Sequence, residues 1–130
     1  MDIFTYQDFK KEKGVLTFSV CEDIYADLLA SLDRTDEMVQ EIWSEFVPNC
    51  VAYAEVRGSY LTIPRHQRTN DFEAGRSAKH NDVIRNLNSF KRLAEQAGHS
   101  TTWFDQFQND RKRMGDFACY VSYVYAVNAR

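Results

Sequence analysis

The strongest constraint on the fold of this chain is the spacing of its apolar residues between positions 19 and 32. Val20, Cys21, Ile24, Tyr25, Leu28, Leu29 and Leu32 recur every three or four residues, which places them on one side of a helix and off the alternating face of a strand. Ser19 with Glu22 has the pattern of a capping box at the start of that stripe. The same period returns after a turn at Asp33 and Arg34. Thr35 is the expected cap there, with Asp36 and Glu37 in the first turn and Val39, Ile42, Trp43, Phe46 and Val47 inside.

Two more stripes follow. Val83, Ile84, Leu87, Phe90, Leu93, Ala94 and Ala97 form a third, closed by Gly98 in a left-handed cap. Thr102 with Asp105 reads as a second capping box ahead of Trp103, Phe104 and Phe107, and Met114, Phe117, Val121 and Val124 continue that spacing. These stripes predict a mainly α protein, a single compact bundle of four to five helices near 20–33, 36–57, 78–97 and 102–127. A short helix over Thr5–Lys13 and an extended piece over 15–18 complete the reading.

Two segments admit a second interpretation. Residues 51–56 and 59–63 flank Arg57-Gly58 and are rich in β-branched and aromatic residues, as a hairpin would be. The Phe117–Val127 run is apolar on nearly every side, and its tyrosines and valines suit a strand. The alternative fold is therefore α+β, with a hairpin near 51–63 and a C-terminal strand near 117–127. Helix is preferred in both places because the 3.6-residue period runs through Pro48 and on from Trp103. Residues 64–80, PRHQRTNDFEAGRSAKH, hold almost nothing apolar except Phe72 and read as one long loop.

A length of 130 residues suits one domain, 1–130, large enough to bury a core without disulfides or a metal. Three cysteines, odd in number and far apart, make no CxxC pair and no disulfide framework. Buried free thiols suit a reducing cytoplasm. The start of the chain lacks the basic and apolar pattern of a secretory signal, and its longest uncharged stretch is too short for a membrane span.

The net charge of −3 conceals a division. Residues 1–56 carry four basic and twelve acidic side chains, a formal −8, and residues 57–130 carry twelve basic and seven acidic, a formal +5. Glu37, Glu41 and Glu45 stack at i, i+4 and i+8 as an acidic face, a spacing at which like charges repel by about 0.2–0.5 kcal/mol per pair. The basic candidates for a binding surface are Arg65, His66 and Arg68, then Arg76, Lys79 and His80, and the run Arg111, Lys112 and Arg113. Arginine forks in such numbers suit phosphate or carboxylate groups.

Conventional catalytic patterns are missing. No glutamate has a histidine three residues later, and there is no HExxH, GxSxG turn or glycine-rich phosphate loop. Arg92 and His99 match an Arg-x6-His spacing that ten arginines supply readily by chance, and Gly98 places His99 beyond its helix. The expectation is a small non-enzymatic interaction protein, of adaptor, inhibitor or immunity type, with a protein partner and no cofactor or metal. A homodimer through 117–127 would cover that apolar segment. The alternatives are a nucleic-acid-binding protein using 64–80 and Arg111–Arg113, and a small helical ribonuclease using His66, His80 or His99.

Overall fold

The computed structural model describes residues 18–108 and 111–128. Among them are five α-helices, one 3-10 turn and no strand. We number the helices α1 (Phe18–Ala30), α2 (Glu37–Thr62), α3 (Asn70–Gln96), α4 (Thr102–Asp105) and α5 (Arg111–Asn128), with the 3-10 turn Arg65–Gln67 between α2 and α3. The protein is a mainly α bundle, so the α+β alternative falls: 51–62 and 117–127 are both helical. The helix expected over Thr5–Lys13 and the extended residues 15–17 lie outside the described residues, whereas Phe18 already belongs to α1.

At 26 residues, α2 is about 39 Å long and forms the spine of the bundle. It packs along α3 on one side and α5 on the other, while α1 lies against α5 and α4 braces α1. The core is built from the predicted stripes. Cys21, Ile24 and Leu28 of α1 meet Val39, Phe46, Cys50 and Ala54 of α2, Val83, Leu87 and Phe90 of α3, and Phe117, Ala118 and Val121 of α5. Phe46 and Phe90 pack edge to face with ring centroids 5.3 Å apart, and Trp43 lies 5.8 Å from Phe90. Asn49 Nδ2 donates to Asn86 Oδ1 at 2.7 Å, fixing the register of α2 on α3.

Several expected boundaries shift for identifiable reasons. The segment 64–80 is a connection only over 64–69, with the 3-10 turn Arg65–Gln67 inside it, and is helical from Asn70 onward. Thr69 accepts a hydrogen bond from the Phe72 amide at 3.1 Å, and α3 begins at Asn70 with Asp71 and Glu73 on the positive end of its dipole. The first turns of α3 face solvent on much of their surface, and no heavy atom beyond Gly75's own surroundings lies within 4 Å of where a Cβ would stand there. Apolar periodicity is absent from such turns because they bury little.

Caps differ as well. Asp36, rather than Thr35, caps α2 by accepting from the Met38 amide at 2.8 Å, while the Thr35 hydroxyl donates to Asp33 Oδ1. Ser19 lies inside α1 and so is not its cap. Thr101, without a side-chain bond, occupies the position assigned to Thr102. The single helix expected over 102–127 is two, since α4 stops at Asp105 and α5 starts at Arg111 across the polar gap. Gly98 behaves as read: its φ is +78°, and the His99 amide reaches back to the Ala94 carbonyl at 2.9 Å.

One buried hydrogen bond holds α4 in place. Trp103 Nε1 donates to Ser31 Oγ at 3.0 Å, and Ser31 Oγ donates to the Leu28 carbonyl at 2.8 Å. Within α5, Phe117–Ser122 is buried by the chain itself, leaving Tyr125 and Val127 as its exposed large hydrophobics among the described residues. Most of the apolar surface that would favour a homodimer through 117–127 is thus already covered. No helix among the described residues is long and apolar enough to cross a membrane.

Ser31→Ala strands the Trp103 indole N–H in the core and is expected to cost about 1–3 kcal/mol, read from the denaturant midpoint. Pro48 sits exposed inside α2 and denies the Ser44 carbonyl its helical donor. Pro48→Ala is expected to raise stability by about 1–3 kcal/mol, since proline is the poorest interior helix residue. A midpoint that stays put or falls would show that the bundle depends on the break.

Candidate functional site

The most uniform run of exposed charge among the described residues spans α1, the turn after it and the first turns of α2. From 19 to 45, eight carboxylates are exposed: Glu22, Asp23, Asp27, Asp33, Asp36, Glu37, Glu41 and Glu45, against a single arginine, Arg34. Asp33 and Asp36 serve the intervening turn. The Thr35 hydroxyl and amide both donate to Asp33 and hold its carboxyl below the ordinary aspartate value, with a smaller contribution from His99. The side chains of Glu37, Glu41 and Glu45 make no hydrogen bond or ion pair with a described residue, and Met38 beside them is 59% exposed. No group of three or more metal-ligating side chains converges among the described residues.

The basic candidates do not assemble in the same way. Arg65 and His66 are exposed on the 3-10 turn, but Arg68 turns back, its Nε donating to the Ile63 carbonyl at 3.2 Å. Arg76 pairs with Glu73 at 3.1 Å one turn away on α3, and Lys79 is exposed farther along. Arg111, Lys112 and Arg113 open α5, where Arg113 is exposed. On α3, Asp71, Glu73 and Asp82 offset Arg76, Lys79 and Arg85, so residues 70–85 carry no formal net charge.

His80 leads inward to a group of residues that spacing arguments missed. Its ring lies 5.5 Å from that of Tyr53 on α2, and one turn on from Tyr53 is Arg57. Arg57 Nη2 forms an ion pair with Asp116 Oδ1 at 2.8 Å, the two side chains being 12% and 1% exposed. Burial weighs against the charge on Arg57, but the Cys119 sulfur and the Asp116 carboxylate favour it, and the guanidinium is held more firmly protonated than usual. Burial likewise raises the Tyr53 hydroxyl, with Arg57 and Arg76 pulling the other way.

Gly115 makes this junction fit. A Cβ at that position would stand 2.5 Å from Arg57 Nη1 and 2.6 Å from the Tyr53 hydroxyl. The signal in the sequence was a lone aspartate followed by Phe117–Ala126 without a charge, since a carboxylate buried there requires a cationic partner. Nothing in the local spacing says that the partner is Arg57, fifty-nine positions earlier.

The three cysteines are free and buried, as their apolar settings imply. Desolvation pushes Cys21 and Cys119 up to about 12, and Cys50 well above its usual value. Such thiols are poor nucleophiles at neutral pH.

Asp116→Ala leaves the Arg57 charge buried without its partner and is expected to cost about 3–5 kcal/mol. The double replacement Arg57→Met with Asp116→Leu should lose less than that single change, and a larger loss would show that the pair itself stabilises the bundle. The thiols set a pH window. Their folded values lie above 9.0, so the unfolded chain releases these protons first. Stability is fully present below pH 9 and declines as pH rises toward 12, visible as a falling denaturant midpoint between pH 9 and pH 11. Rapid labelling of the native protein by a thiol reagent at pH 8 would contradict this burial. In comparisons with known proteins, the chain matches no family model, no curated protein and no solved structure.

Proposed function

We propose that this is a non-enzymatic interaction protein, of adaptor, inhibitor or immunity type, whose acidic α1–α2 surface docks a cationic surface of a partner protein in the cytoplasm. The observation that carries the reading is the run of eight exposed carboxylates against one arginine between 19 and 45. On α2, Glu37, Glu41 and Glu45 repel one another at helical spacing, and a basic partner turns that standing cost into attraction. The exposed Met38 supplies an apolar contact within the charged ridge, in keeping with the adaptable role methionine plays at binding surfaces. Three buried free thiols suit a reducing compartment.

A second reading rests on Arg65, His66 and Lys79, which are exposed and make no side-chain hydrogen bond or ion pair with a described residue. Those positions would meet the phosphates of a nucleic acid, in binding that weakens steeply with salt.

One experiment separates the two. The protein is used as bait in extracts of its native host, with and without nuclease, beside a Glu37→Lys, Glu41→Lys, Glu45→Lys variant and an Arg65→Ala, His66→Ala, Lys79→Ala variant. The proposal expects a nuclease-resistant protein partner that the acidic-ridge variant loses and the basic variant keeps. Capture abolished by nuclease and by the basic variant would replace it with the nucleic-acid reading. Light scattering on the purified chain distinguishes a foreign partner from a second copy.

A further inference from the structure

We draw no further inference here: the strongest candidate, the cluster of Tyr53, Arg57, Arg76 and His80 where α2, α3 and α5 meet, belongs to the site already described, its arginines are matched by Asp116 and Glu73, and nothing among the described residues shows what ligand it would take.

Discussion

The arrangement of the bundle turns on one ion pair, Arg57 with Asp116, closed between the middle helix and the last. A carboxylate that is 1% exposed has no water to hold its charge, so α5 must bring Asp116 to a cation or not pack at all. Arg57 is that cation, and Gly115 leaves the space it occupies. Buried ion pairs add little net stability compared with well-packed apolar side chains. We read this one as fixing register: it sets how far α5 slides along α2, and the apolar residues Phe117, Ala118 and Val121 then meet the core at the correct level.

Where burial was regular, the sequence was legible. The stripes of α1, of the first half of α2 and of the second half of α3 turn inward at most of the positions their spacing named, with Val83, Leu87 and Phe90 fully buried, although Val20 and Ala97 at the stripe ends stay exposed. Legibility failed where a helix buries little, as in the first turns of α3, because exposed helix carries no apolar period to detect. It failed again at caps, where Asp36 and Thr69 were chosen over neighbours of similar chemistry. The charged residues show a similar limit. Glu37, Glu41 and Glu45 could be placed on one exposed side from their spacing alone. The Tyr53–Arg57–Asp116 junction could not, because it joins residues from distant helices.

Folding also changed the meaning of the charge division. The basic half of the chain does not make a basic half of the molecule. Trp43 and Phe90 meet, as do Tyr53 and His80, so α3 runs antiparallel to α2 and carries its arginines alongside both ends of that helix. Its carboxylates travel with them, and Glu73 and Asp82 each engage an arginine three residues away. The acidic half has no such internal compensation between 19 and 45, which is why that stretch is the more uniform in charge.

The Gly115-Asp116 step has a consequence for the order in which the bundle assembles. Glycine and aspartate are both weak interior helix residues, and valine and tyrosine, frequent in the rest of α5, are only middling. Helix α3 carries its own local supports: a threonine cap, ion pairs between neighbouring turns and a glycine-closed end. It is equipped to form from nearby contacts alone. Helix α5 draws its helicity from α2 and is expected to become ordered only once that surface exists to receive Asp116. The last helix in the chain is then also the last to fold, and closing it completes the core in a single cooperative step.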